Sequence, residues 1–141
     1  MTAPNARSTR VSVRHRDIEI AHVRADTRTP GARSYLGDGR RVTWFPRRTA
    51  ETLIAVDAEL AHQPVPSSLG RRFGAADPLE FWRLWTTNEV AAKLLDVPIL
   101  LWLARYGLRT QVPGVSTRTL EIDDVVISCG WCPADTRHAL P

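Results

Sequence analysis

One lysine, Lys93, stands against eighteen arginines. That skew is a genome-composition signature and carries no mechanistic weight. Cysteine occurs twice, at 129 and 132, which is too little for a disulfide framework. A reducing, intracellular, cytoplasmic setting is therefore the expectation. Long apolar runs are missing too. The longest, Val97 to Ala104, falls far short of the ~20 residues that span a bilayer. Met1 to Arg16 is polar and basic, without the apolar segment of a secretory signal, so no membrane association is expected. The chain has no Gly-rich phosphate loop, no metalloprotease helix motif and no Gly-x-Ser-x-Gly elbow. The four histidines, at 15, 22, 62 and 138, show no ligand-like spacing. These absences argue against an enzyme and against a cofactor.

What is present can build a core. Apolar residues make up 43% of the 141 positions, enough for one domain or a small domain with an appendage. The net charge of +4 is unevenly spread. Residues 1–48 carry eleven arginines and four acids, a net of +7, and the remainder sums to −3. Phosphate contacts need bases. The N-terminal arginines either serve such contacts or form a solvated tail and face.

In chain order, residues 1–10 read as a basic disordered lead-in. Residues 11–66 read as a β-hairpin plus helix. Ile18, Ile20 and His22 alternate with Asp17, Glu19 and Ala21, which is the period of a strand. Arg41 to Phe45 is a second strand stopped by Pro46, after a long basic connection with turns at Thr29-Pro30-Gly31 and Gly37-Asp38-Gly39. Thr49 to His62 reads as an amphipathic helix, with Leu53, Val56, Leu60 and Ala61 on one face. Ser67 to Ala76 reads as a linker or ordered loop. Asp77-Pro78-Leu79-Glu80 is a helix start, and Phe81, Trp82, Leu84 and Trp85 make that short helix apolar.

The chain is organised around residues 85–126. Thr86 is a suitable N-cap, with Glu89 three residues on as in a capping box. Val90, Ala91, Leu94 and Leu95 follow at helical spacing. Asp96-Val97 breaks the run, and Pro98 is placed to open a helix over Ile99 to Tyr106 that Gly107 stops. Two polar, β-branched arms then flank Pro113-Gly114 as a hairpin, and Asp123 caps a short closing helix over the apolar segment from Val125 to Ile127.

The run Thr86-Thr-Asn-Glu-Val-Ala-Ala-Lys-Leu-Leu-Asp-Val97, with Gly107-Leu108, the hairpin and Asp124-Val125, resembles the winged helix-turn-helix of excisionase-type and MerR-like DNA-binding proteins. The resemblance covers roughly the C-terminal third. It implies a C-terminal winged helix-turn-helix, placed over 77–128 with its leading helix; with the N-terminal β-hairpin and amphipathic helix before it and a tail over 129–141 after it, the expected fold class is α+β. It also implies a second helix in the major groove of double-stranded DNA and a wing on the flanking backbone. The DNA-contacting residues would be Arg105, Arg109, Thr110, Gln111, Ser116, Thr117 and Arg118. Arg40, Arg41, Arg47 and Arg48, set among Tyr35, Trp44 and Phe45, would add phosphate contacts.

The second helix is more apolar than a groove-reading helix needs. Leu101, Ala104 and Leu108, extended by Val97, form one stripe. Ile99, Trp102, Leu103 and Tyr106 form another, expected to be an exposed protein interface. Two functions follow. One is a small DNA-binding regulator, a transcriptional regulator or excisionase-like factor, acting as a homodimer. The other is a protein-interaction module, such as an antitoxin or a phage or host-factor inhibitor, docking a protein partner through residues 99–106. Cys129-Gly-Trp-Cys132 with His138 is a weak zinc candidate, because thiolate ligands often come as Cys-x-x-Cys. Ordinary thiols are the simpler reading.

Overall fold

The structure, a computed structural model, describes residues 10–22, 31–47, 49–74 and 77–138, with side chains from His15 onward. Among these residues, strands and helices mix in an α+β order: strands first, helices in the middle, strands again at the end. Of the expected lead-in over 1–10, residues 1–9 lie outside the described residues, as does Arg48, while Arg10 already belongs to a strand.

The first sheet contains β1 (Arg10–His15), β2 (Ile18–His22), β3 (Ala32–Tyr35) and β4 (Arg40–Trp44). It is antiparallel in the order β1-β2-β4-β3. The two expected strands, the alternating stretch around Ile18 and the Arg41–Phe45 run, are neighbours, with Ile18 opposite Trp44 and Ile20 opposite Val42. Those four side chains point into one core.

The second sheet holds β5 (Thr52–Leu60), β6 (Ser116–Ile122) and β7 (Val125–Pro133), in the order β5-β7-β6. Two sequence expectations fail here. Residues 49–62 are not an amphipathic helix: β5 pairs with β7 along its whole length, from Thr52 opposite Pro133 to Leu60 opposite Val125. A strand covered on both faces reads as a near-continuous apolar run, and periodicity alone does not separate that from a helix. Val56 and Ala58 face the first sheet, while Ala55 and Leu53 face the helices. Likewise Val125 to Ile127 is no closing helix but the start of β7, the central strand. Residues 129–133, expected in a tail, complete that strand.

Helices form the third layer. The 67–76 segment is not a linker throughout: Ser67–Phe73 is α1, closed by Gly74 in the left-handed region at φ 65°. The two helices expected on either side of Trp85 are one, α2 (Pro78–Leu95), with Asp77 as N-cap accepting from the Leu79 N–H. Thr86 is not a cap. Its hydroxyl bonds back to the Trp82 carbonyl at 2.9 Å, and it also lies 2.8 Å from the Ser128 hydroxyl on β7. Back-bonding satisfies the threonine without ending the helix. Asp96, at φ 57°, caps α2, and after Val97 and Pro98 comes α3 (Ile99–Tyr106), ended by Gly107 as expected.

The inter-sheet core gathers Ile18, Ile20, Val42, Val56, Val125 and Ile127. On the other face of the second sheet, Phe81, Val90 and Leu94 of α2 press onto β5 and β7. Each such side chain, fully buried, contributes about 1.5–3 kcal/mol. Among the described residues, no helix is long and apolar enough to cross a membrane.

Candidate nucleic-acid interface

Asn88 fixes the geometry of the α3 region. It is fully buried in the seam between α2 and α3. Its amide nitrogen donates to the carbonyls of Leu84 at 2.7 Å and Arg109 at 2.9 Å. Its carbonyl oxygen accepts from Trp102 Nε1 at 2.9 Å and from the Arg109 N–H at 3.0 Å. All four of its hydrogen-bonding capacities are used. The segment after α3 is thus held by its backbone at Arg109, and the arginine side chain is left outward. Sequence reasoning passed over Asn88, although it sits inside the helix-turn-helix-like motif; an amide among apolar helical positions was the available signal.

The orientation of α3 corrects the expected assignment of its stripes: Leu101 and Ala104 face out, while Val97 and Leu108 pack inward together with the other stripe. Trp102 is 2% exposed and Leu103 3%, both packed on Ala91, Ala92 and Leu95 of α2. Ile99 and Tyr106 are partly buried against the same cluster. The set expected as a protein interface is therefore the inward face. The reason is volume: the large indole and Tyr106 fill the space beside the small Ala91 and Ala92, and buried aromatic area outweighs what Ala104 could offer. Leu100, 75% exposed, and Leu101, 41%, point out instead.

The expected wing is also redrawn. Residues 108–112 are not a strand, and the paired hairpin is β6–β7, joined at Asp123-Asp124 with Asp123 at φ 53°. Pro113-Gly114 does make a turn, inside a loop. That loop and the start of β6 enclose a hollow of about 600 Å³ whose lining includes Arg109, Gln111, Ser116 and Thr117. Four of the expected contact residues are thereby brought together, with exposed Thr110 beside them.

Further bases lie at the same end of the helix layer. Phe73, the last residue of α1, packs in the cluster with Trp102 and Tyr106, and its ring lies against Gly107. This sets Arg71 and Arg72, in the last turn of α1, beside the end of α3, which carries exposed Arg105. The Arg109 guanidinium lies over the Tyr106 ring at 5.5 Å, and that of Arg72 over Phe73 at 5.2 Å. Among the described residues, none of these four arginines has a carboxylate at ion-pair distance.

The other expected bases go elsewhere. Arg40 is held by Asp38 at 2.8 Å and, through two nitrogens, by Asp124 at 2.8 and 3.1 Å. Those bonds from Arg40 hold the Asp124 carboxyl below its usual range. Arg41 is buried. Arg118 pairs with Asp17 across the two sheets at 3.2 Å, and Arg47 is exposed away from α3, beside Trp44 and Trp131.

The zinc candidate does not survive the strand. Cys129 and Cys132 are both buried, free thiols. Three residues apart on β7, they point to opposite faces: Cys129 into the inter-sheet core and Cys132 toward α2. One ion cannot bind both. Among the described residues no group of His, Cys, Asp or Glu is placed to hold a metal. Burial pushes the Cys129 thiol up to about 11.

Comparison with known proteins adds no assignment: no family model, no curated protein and no solved structure matches this chain.

Proposed function

We propose that the chain is a small DNA-binding protein of winged helix-turn-helix type, contacting duplex DNA with the end of α3 and the loop over 109–117. The observation that carries this reading is the set of four arginines, Arg71, Arg72, Arg105 and Arg109, gathered where α1 and α3 end and, among the described residues, without a carboxylate at ion-pair distance. Arg109 lines one hollow with Gln111, Ser116 and Thr117, and guanidinium groups in such a polar setting suit phosphate and sugar contacts. The chain order of two helices followed by a β-hairpin agrees with the same reading. The tip of that hairpin is acidic and Asp124 is bound to Arg40, so the loop, not the tip, would meet the backbone.

The test is fluorescence anisotropy with labelled duplex DNA of mixed sequence, as a salt titration of the full chain. Salt-sensitive binding is expected, and Arg105→Glu or Arg109→Glu should weaken it and lower the salt slope by about one each. Arg40→Ala, which removes only a structural pair, should leave the slope unchanged. No binding at low salt, or binding indifferent to both glutamate variants, refutes the proposal.

A second reading rests on Leu100 and Leu101, the outward apolar pair of α3. An apolar outward face suits a protein partner or a second copy better than a base edge does. If Leu100→Asp converts a dimer to a monomer with the fold intact, α3 is an assembly surface, and two weak DNA half-sites would be joined through it.

A further inference from the structure

Away from α3, a second hollow of about 630 Å³ opens at the end of the inter-sheet core. Its lining includes Asp17 from the β1–β2 turn, Trp44 and Arg47 from the end of β4 and beyond, Thr52 at the start of β5, Arg118 of β6 and Trp131 of β7. That volume is in the range of small-molecule sites. Trp131 shares the face of Cys129 but lies past the core's edge, and stays 38% exposed. Behind it Trp44 is buried, with ring centres 6.1 Å apart at 48°. The Trp44 indole donates to Asp17 at 2.9 Å, and Asp17 in turn holds Arg118 at 3.2 Å. Burial pushes the Asp17 carboxyl up, but those two bonds outweigh it and hold it below its usual range. The wall is therefore preset: an ionised carboxylate fixes both an indole and a guanidinium.

Two features of this wall are unused by the fold. One is the exposed part of the Trp131 indole, an expensive group to leave in water. The other is Arg47, exposed and, among the described residues, without a carboxylate at ion-pair distance. Arg118 keeps side-chain exposure of 43% despite its pairing with Asp17. A partly exposed indole and two guanidinium groups lining one hollow, its one carboxylate already spent, fit an aromatic ring bearing an anion.

We propose that this hollow binds a nucleoside phosphate, the base stacked on Trp131 and the phosphate held by Arg47 and Arg118. Free mononucleotide and a nucleotide within a single strand share that chemistry. The site is separate from the α3 interface, and it stands whether or not the duplex reading does.

The experiment titrates 15N-labelled full chain with AMP, with adenosine, and with a short oligodeoxyadenylate, following the tryptophan indole N–H resonances. The Trp131 resonance should shift saturably while those of buried Trp82 and Trp102 stay in place. AMP should bind tighter than adenosine, because the guanidinium groups need the phosphate. Trp131→Ala and Arg47→Glu should each weaken binding about tenfold, the scale of one base stack. Arg40→Ala, outside both arginine sets and tied to Asp38 and Asp124, should leave AMP binding unchanged. A shift with AMP identifies free nucleotide as a sufficient ligand; a shift with the oligonucleotide alone assigns the site to single strands. If Trp131→Ala unfolds the protein, the exposed Arg47→Glu decides alone. A Trp131 resonance unmoved by all three ligands at millimolar concentration, or binding unaffected by Arg47→Glu, overturns the proposal.

Discussion

The indole N–H of Trp102 donates to the carboxamide oxygen of Asn88 at 2.9 Å, with both residues buried between α2 and α3. Through the same amide, Arg109 is bonded at its N–H and its carbonyl. One side chain therefore sets helix against helix and the start of the loop against both. Asn88→Ala would leave the Trp102 N–H and both Arg109 backbone groups without these partners. A cost of about 3 kcal/mol is expected, since each buried orphan costs about 1–3 kcal/mol and some will find water. Urea denaturation measures it. A loss below about 1 kcal/mol would mean the seam is wetter than its burial indicates.

Gly130 makes room for α2 on the second sheet. A Cβ there would stand 2.1 Å from Val90 Cγ1 and 3.2 Å from Leu94 Cδ1. Nothing at either distance is tolerable without a shift, and Val90 is fully buried. Gly130→Ala should thus destabilise by about 2–3 kcal/mol, the scale of overpacking. Val90→Ala removes the methyl groups in the way. The double variant should be more stable than the sum of the two single costs implies, which a double-mutant cycle by denaturation detects. Additive losses would show that α2 and β7 part by another route.

The thiols give a simple check on the register of β7. Cys129 and Cys132 lie on opposite faces, and burial pushes both pKa values up. Iodoacetamide at mildly alkaline pH should leave the native protein unmodified and alkylate both cysteines in guanidinium, as read by mass spectrometry. Mild oxidation should yield no intramolecular disulfide, because the side chains diverge across the sheet. Rapid native alkylation of either residue would contradict this strand assignment.

The legibility of the fold varied with how many faces each element buries. β2 showed alternation because Glu19 stands less buried between Ile18 and Ile20, whereas β4, with Arg41 to Trp44 all buried, was legible from its composition and from Pro46 after it. α3 was readable from Pro98 and Gly107, since caps are local chemistry. β5 and β7 were not, because each is covered by a sheet on one side and a helix on the other, which erases the period. The single helix α2 was divided because Thr86 and Glu89 imitate a capping box, and only the Ser128 hydroxyl across the seam shows why the threonine is there. In the candidate interface, Arg109, Gln111, Ser116 and Thr117 were legible as polar positions around Pro113-Gly114, though as the arms of a hairpin and not as a loop leading into β6. The diversion of Arg40 and Arg118 into ion pairs was not, because their partners Asp124 and Asp17 lie 84 and 101 positions away.

A carboxylate group at the α2–β5 boundary makes stability depend on pH. Lys93 Nζ donates to the Val56 carbonyl at 3.1 Å and to Asp57 Oδ1 at 2.9 Å, while the Ser34 hydroxyl lies 3.3 Å from the same oxygen. Glu59 faces this group from β5 and Glu89 from α2. Burial, and then the charges of Asp57 and Glu59, push Glu89 up to about 7, with Lys93 opposing. The folded protein therefore holds a proton at Glu89 that the unfolded chain has released above about 4.5, the ordinary glutamate value. Stability from this group is full below about 4.5 and is lost as pH rises through about 7. Burial raises Asp57 and Glu59 as well, so they act with the same sign. Thermal melts between those limits should show the melting temperature falling with rising pH. Glu89→Gln should flatten that fall and raise the melting temperature on the alkaline side. A wild-type melting temperature that climbs with pH over this window would mean that Lys93 outweighs burial and holds Glu89 ionised.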